Sequence, residues 1–302
     1  MEDYPRTLTE FEACFSTEEA CRRYLFELRW PGGFECPRCG GHKAWSTERD
    51  LLVCGDCEHH SSVTAGTIFE NTHKPLTLWF RAIWWLTTLK TGASALGLQR
   101  ILGLGSYKTA WTWLHKLRRA MVRPGRDRLS GRVEVDETYL GAEEKGVRGR
   151  KTEKKALIVV AAQEDGKRTG RIRMRRIQDA SAASLQPFIE ESIEPGSVVH
   201  TDGWEGCAGL EEMGYHHEVT VLARQKEVAS KLLPHVHHAV GHLKTWLAGT
   251  LHGGVSHEHL DYYLDEFTFR FNRRSSSSRG KLFYRLVQQA VQVDPVPYKE
   301  MV

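Results

Sequence analysis

Apolar and polar positions change their spacing twice along this chain of 302 residues. In the first 30, apolar or aromatic side chains recur at Phe11, Cys14, Tyr24, Leu25 and Leu28, and Ser16-Thr-Glu-Glu supplies a helix start. One or two short helices are predicted there. Residues 31–70 lose that period and become rich in Gly and Cys, with short strand-like pieces. An aromatic helix is predicted over Leu76–Lys90, then helical patterns over Ser94–Ile101 and Ser106–Met121, with Leu102-Gly103-Leu104-Gly105 between them. Pro124-Gly125 interrupts the pattern, and the Arg/Asp-rich stretch 123–130 reads as a linker.

Beyond the linker the spacing becomes that of strands. Arg132–Leu140, Lys155–Gln163 and Gly170–Ile177 have strand length and β-branched content, with Gly- or charge-rich turns between them. A helix over Ser181–Ile193, opened by Asp179 or Ser181, precedes a short strand at Ser197–Thr201 and another near 217–222. Helices follow at about 235–248, 257–272 and 280–292. The order β-β-β-α-β and then helices predicts an α/β layered domain. Four segments are expected: helical at 1–30, cysteine-based at 31–70, helical at 71–125 and α/β at 126–302.

Composition narrows the picture. With 40% hydrophobic and 26% charged residues the chain reads as globular. The longest apolar run, Ala156–Ala162, is too short for a bilayer, and MEDYPRTLTEF lacks the apolar core of a signal peptide. A cytoplasmic protein without membrane contact is expected. Net charge is only +4, but basic residues cluster at Lys116–Arg119, Arg148–Lys155, Arg171–Arg176 and Arg270–Arg274, which favours a polyanionic partner.

Without export signals, the seven cysteines are expected to stay reduced. Four of them form two pairs, Cys36-Pro-Arg-Cys39 and Cys54-Gly-Asp-Cys57, separated by 14 residues. Each C-x-x-C turn aims two thiolates at one point, and a hairpin between the pairs closes a tetrahedral site for one structural Zn2+. Trp45–Thr47 and Leu51–Val53 suit that hairpin. Cys14, Cys21 and Cys207 lack ligand spacing and read as buried apolar groups.

The two helical patterns around Gly103 have the layout of a helix-turn-helix. Its second helix carries Lys108, Lys116, Arg118 and Arg119, which suits the major groove of double-stranded DNA. The alternative is an ordinary helical hairpin with a basic solvent face.

In the α/β half, Arg132-Val-Glu-Val-Asp-Glu-Thr-Tyr-Leu-Gly puts Glu134 and Asp136 on one face of a strand and Val133 and Val135 on the other. Carboxylates in a central strand need compensation, and a divalent cation with hard oxygen ligands supplies it. A second motif, Val198-Val-His-Thr-Asp-Gly-Trp, ends another short strand in Asp202. If the two strands are neighbours, the aspartates share a metal site.

These strings, together with GTIFENTHKPL, FRAIWWL, HLKTWLAGTLHGGVS and YLDEFTFRFNRR, resemble the DDE insertion-sequence transposases, in particular the zinc-ribbon group called ISXO-like. The resemblance covers most of the chain. It implies an RNase H-like catalytic domain preceded by a zinc ribbon and a helix-turn-helix, with Asp136 and Asp202 as the first two acidic ligands. The family's third ligand is Glu, Asn or His, followed seven positions later by a basic residue. His237, 35 positions after Asp202, and Lys244 match that pattern. Glu266, in YLDEF, is the other candidate, although pairing with Arg270 one turn on explains it as well.

The resemblance further implies two catalytic Mg2+ or Mn2+ ions, cleavage at transposon terminal repeats, strand transfer into target DNA, and a homodimer or larger assembly on DNA. Two other readings stay open: a DNA-binding regulator without catalysis, and an RNase H-like nuclease without strand transfer.

Overall fold

The computed structural model describes residues 4–123, 125–141, 155–220, 232–251 and 257–301. Contacts divide the chain into two compact units, Met1–Pro124 with Ser276–Val302, and Gly125–Ser275.

In the first unit, α1 (Leu8–Cys14) and α2 (Glu18–Arg29) start at Thr7 and Thr17, whose hydroxyls accept from the N–H groups of Glu10 and Ala20. The cysteine segment forms an antiparallel sheet of β1 (Ala44–Ser46), β2 (Leu52–Cys54) and β3 (His60–Ser61), with Trp45 opposite Val53. Next come α3 (Leu76–Thr88), α4 (Ala95–Leu102) and α5 (Tyr107–Ala120). Gly103, at φ +62°, closes α4 in a left-handed conformation that costs a glycine little.

The core of this unit is aromatic. Trp79 of α3 stacks on Trp113 of α5 with ring centroids 3.8 Å apart. Phe283, from the C-terminal helix α9 (Arg279–Ala290), packs against Phe11, Phe15, Phe80 and Trp84. Sequence spacing assigns α9 to the α/β half, but its buried face (Leu282, Phe283, Leu286, Val287) belongs with the N-terminal helices. Nothing in a helical stripe names the partner that buries it.

The second unit is a five-stranded sheet in the order β6-β5-β4-β7-β8. It is built from β4 (Arg132–Leu140), β5 (Ala156–Asp165), β6 (Arg168–Ile177), β7 (Val198–Thr201) and β8 (His216–Val219). The β4-β5-β6 meander is antiparallel, whereas β7 runs parallel to both β4 and β8. Helix α6 (Ala182–Ser192) covers one face through Leu185, Phe188 and Ile189, against Val133, Val135 and Val159. Helices α7 (Pro234–Leu251) and α8 (Leu260–Phe271) cover the other. There Val236, Val240, Leu243 and Leu247 meet Ile158, Val160 and Ala162. This is the α/β arrangement of the RNase H-like fold. The strand expected near 217–222 is β8, and positions 221 and 222 lie outside the described residues. Of the four basic clusters, 148–154 also lies outside them.

Candidate active site and zinc centre

The four thiols of the ribbon converge as their spacing predicts. Cys36 Sγ lies 3.7 Å from Cys57 Sγ, and Cys39 Sγ lies 3.6 Å from Cys54 Sγ. All four sulfurs fall within 4.8 Å of one another. Tetrahedral zinc with bonds of about 2.3 Å requires sulfurs roughly 3.8 Å apart, so the cage fits the ion. Backbone hydrogen bonds shape the knuckles: Gly40 N–H donates to Cys36 O at 2.9 Å, and Glu58 N–H to Cys54 O at 3.0 Å. Gly40 sits at φ +74°, where a side chain would be strained.

In the α/β unit, the register of β4 on β7 decides the geometry. Arg132 pairs with Val198, Val133 with Val199 and Glu134 with His200. Two residues further along come Asp136, in the middle of β4, and Asp202, just past the end of β7, so the register sets the two residues level on neighbouring parallel strands. Asp136 Oδ1 accepts from Glu137 N–H at 2.8 Å, and Asp202 Oδ1 from Trp204 N–H at 3.0 Å. Gly203, at φ +85°, turns the chain out of the strand between Asp202 and Trp204. Burial pushes the nearby Cys207 thiol up to about 12, and the charges of Glu137, Asp202 and Asp136 add to the effect.

From the facing helix, α7, His237 places Nε2 3.9 Å from Asp136 Oδ2. That nitrogen is buried and has no hydrogen-bond partner. Burial, and then the charge of Lys244, hold the imidazole below its usual pKa, which favours the neutral form that ligates cations. Lys244 itself is exposed. Glu266 is fully buried on α8, where its Oε1 accepts from Arg270 Nε at 2.8 Å.

One contributor stands in the same motif as Asp136, but its partner is a backbone N–H of α7. Glu134 is 1% exposed, and its Oε2 accepts the Val236 N–H at 2.8 Å. The carboxylate thereby holds the first turn of α7, one residue from His237, to the strand that carries Asp136. Burial raises the Glu134 pKa to about 7, against the opposing pull of the Val236 and His235 N–H groups. The visible signal in the sequence is a glutamate between two valines of a central strand. Glu134, Glu164 and His235 bring ligand atoms within 4.8 Å of one another, yet Arg132 Nε, 3.0 Å from Glu164 Oε1, already supplies positive charge there.

Residues 128–272 match the ISXO2-like transposase domain, and residues 16–60 match the transposase zinc-ribbon domain. The chain belongs to the zinc-ribbon, ISXO2-like transposase family. A similar protein is the "Uncharacterized protein in transposable element ISH50" of Halobacterium salinarum, 27% identical over 85% of this chain and 91% of that one. An "Uncharacterized transposase-like protein" of Haemophilus influenzae is 26% identical over 37% of this chain and 89% of its own length. Two solved structures, the Mos1 strand transfer complex and the Mos1 mariner paired end complex with Mn, align over 70% of this chain and 75% of theirs. Identity is 11% and the TM-score 0.30 for each, which adds nothing to the site.

The structure corrects several expectations for this transposase. Arg118 is 2% exposed and donates to the Ala93 carbonyl at 3.2 Å, so it is part of the helical core and not of a groove-facing surface. Lys116 is half-buried, with Nζ 3.1 Å from the Ile68 carbonyl oxygen, and burial lowers its pKa. Arg119 is half-buried and Lys108 exposed, the latter with Nζ 3.8 Å above the Tyr298 ring. Trp111, Trp113, Leu114 and Leu117 leave α5 too little free face for a full row of cations, because its second half is packed nearly all round. Two basic clusters are likewise partly internal: Arg173 is 5% exposed, and Arg270 holds Glu266. Among the unassigned cysteines, Cys21 and Cys207 are buried, but Cys14 is exposed at the end of α1. No helix among the described residues is long and apolar enough to cross a membrane.

Proposed function

We propose that this transposase cuts DNA at the ends of its insertion sequence and joins the freed 3′ ends to target DNA. Asp136, Asp202 and His237 hold the divalent cations in this reading. The observation that carries it is the buried Nε2 of His237, without a hydrogen-bond partner and 3.9 Å from Asp136 Oδ2, beside a strand register that sets Asp202 level with Asp136. An imidazole nitrogen buried without a hydrogen bond is costly unless a ligand completes it. Two carboxylates and one imidazole suit Mg2+ or Mn2+, and the softer nitrogen leans toward Mn2+. Bound there, divalent ions supply Lewis acidity toward the scissile phosphate.

The chain's own groups do the rest. Asp136 is oriented by the Glu137 N–H and Asp202 by the Trp204 N–H, so neither carboxylate has to reorganise on binding. Glu134 fixes the helix that carries His237. Lys244, exposed two turns further along α7, offers a cation to a flanking phosphate. Duplex recognition falls to the ribbon and to the α4–α5 pair, acting as a helix-turn-helix. The N-terminal turn of α5, with exposed Ser106, Tyr107 and Lys108, is the part of the recognition helix free to enter a groove. Two element ends must be held together for joining, which calls for a dimer or larger assembly on DNA. The gene product would act in the cytoplasm, where chromosomal DNA is accessible.

The test is a strand-transfer assay with end-labelled DNA carrying the element's own termini, in Mg2+ and in Mn2+. Nicked ends and joined products are expected. Nicks without joining would reduce the reading to a nuclease, and binding without nicks would reduce it to a regulator.

A further inference from the structure

Four of the chain's 15 histidines fall within eight residues, at His235, His237, His238 and His242, and α7 parts them. His237 turns to Asp136 on β4. His238 and His242, four positions apart, stand one above the other on an exposed side of the helix. Their Nε2 atoms are 3.0 Å apart and their rings nearly perpendicular, at 88°. The Phe271 ring of α8 packs against both, with centroids 6.1 and 6.2 Å away, and limits their rotation.

Which nitrogens carry protons follows from the groups behind them. His235 Nε2 faces the carboxylate of Glu164, ion-paired with Arg132, at 4.0 Å. An ionised carboxylate only accepts, so that nitrogen keeps its proton and His235 Nδ1 is bare. Thr169 Oγ1, 3.2 Å from His235 Nδ1, donates to it and is left to accept. It lies 3.0 Å from His238 Nδ1, which is then the N–H donor. Neutral His238 therefore presents a bare Nε2 toward His242, with a hydroxyl behind it of the kind that orients ligating imidazoles. Without an ion, His242 Nε2–H donates to that lone pair. Moving this proton to Nδ1 of His242 frees a second nitrogen for a shared ion.

The separation selects the ion. Metal–imidazole bonds of about 2.0–2.1 Å that span 3.0 Å meet at roughly 90–95°, the cis angle of tetragonal Cu2+ or Ni2+. A tetrahedral ion would need nitrogens about 3.4 Å apart. Arg274 works against hard ions here. Its guanidinium lies 4.0 Å over the Phe271 ring and donates to the Thr169 and Phe271 carbonyls, so a positive charge already stands beside the pair. Mg2+ and Mn2+ gain too little from imidazole to offset that repulsion, whereas Ni2+ and Cu2+ bind it far more strongly.

We propose that His238 and His242 form a further metal site on α7, taking one Cu2+ or Ni2+ with water in the remaining positions. The site is separate from the Asp136–His237 pair and from the ribbon. Its ion ties together two successive turns of the helix that carries His237 and Lys244.

The test uses the untagged full chain, with zinc in its ribbon and Mg2+ in excess, titrated with Cu2+ and followed by electron paramagnetic resonance. One tight equivalent with two equatorial nitrogens is expected. His238→Gln and His242→Gln, both at exposed helix positions, should each lose the two-nitrogen signal, and His237→Ala should keep it. Thr169→Val should weaken the site about tenfold or more, because it removes the hydroxyl that orients His238. Ni2+ should raise the melting temperature of the wild-type chain and of His237→Ala, but not of the two glutamine variants. A two-nitrogen signal that survives in either glutamine variant would overturn the proposal. So would its loss in His237→Ala, which places the ion at the Asp136 site, and so would sulfur coordination, which places it in the ribbon.

Discussion

His237 Nε2 and Asp136 Oδ2 face each other across 3.9 Å, one from a helix and one from the sheet that the helix covers. The pair joins two segments a hundred residues apart in sequence, and its separation leaves room for a shared cation. Asp136→Ala, Asp202→Ala and His237→Ala are therefore expected to abolish strand cleavage while leaving end binding within about twofold. His237→Glu should retain part of the activity, with its preference moved from Mn2+ toward Mg2+ because a hard oxygen replaces the nitrogen. Calorimetric titration with Mn2+ checks the cause, since each alanine variant should lose the ion. Normal cleavage by any of the three would show that the site lies elsewhere.

Glu266 behaves differently. Its carboxylate is fully buried against Arg270, and removing one partner of such a pair costs roughly 3–5 kcal/mol because the other charge is left uncompensated. Glu266→Ala should lower the melting temperature sharply, whereas Glu266→Gln, which still accepts a hydrogen bond, should stay folded and cut DNA. A folded Glu266→Gln that has lost Mn2+ binding would transfer the third ligand from His237 to Glu266.

The ribbon should carry one zinc per chain by elemental analysis, because four sulfurs already stand 3.6 to 3.7 Å apart in opposed pairs. Chelation is expected to unfold the cysteine segment before the α/β unit, since metal binding there is folding free energy. Cys36→Ser or Cys54→Ser should do the same without a chelator. Retention of native ribbon resonances after zinc removal would contradict this.

The basic helix separates into two classes. Lys108→Ala should weaken DNA binding and flatten its dependence on salt by about one phosphate contact. Arg118→Ala should instead destabilise the N-terminal unit, since the guanidinium is 2% exposed and bound to the Ala93 carbonyl. If Arg118→Ala keeps full stability but loses salt-dependent binding, the side chain faces DNA after all.

Glu134 predicts a pH dependence. Its folded pKa, raised to about 7 mainly by burial, lies above the ordinary carboxylate value of 4.5. Between those values the folded state holds the extra proton. The stabilisation is therefore complete below about 4.5 and is lost as pH rises through about 7. A shift of this size corresponds to at most about 3 kcal/mol. Unfolding followed from pH 4.5 to 8 without added Mg2+ or Mn2+ should show this slope, and Glu134→Gln should remove it while keeping the acceptor for Val236. Glu134→Leu, which loses the acceptor, should release the start of α7 and weaken Mn2+ binding.

What the sequence by itself determined was everything that depends on near neighbours. Cys36, Cys39, Cys54 and Cys57 give themselves away because a C-x-x-C turn is a local object, and β4 is legible because Val133 and Val135 alternate with acids. The stripe Val236, Val240, Leu243 and Leu247 likewise tells that α7 has a buried face. Only the tertiary structure decided which partners those faces meet. The parallel register of β4 on β7 brings Asp136 level with Asp202, and strand pairing is chosen by the sheet as a whole. Arg118 turned inward because α5 is enclosed along its second half, where a buried guanidinium finds a carbonyl that no sequence period reports. Glu134 capping α7, and α9 leaving the α/β half for the N-terminal helices, have the same cause. A side chain's burial depends on surfaces brought together from distant parts of the chain, and periodicity records that a face is apolar without recording what covers it.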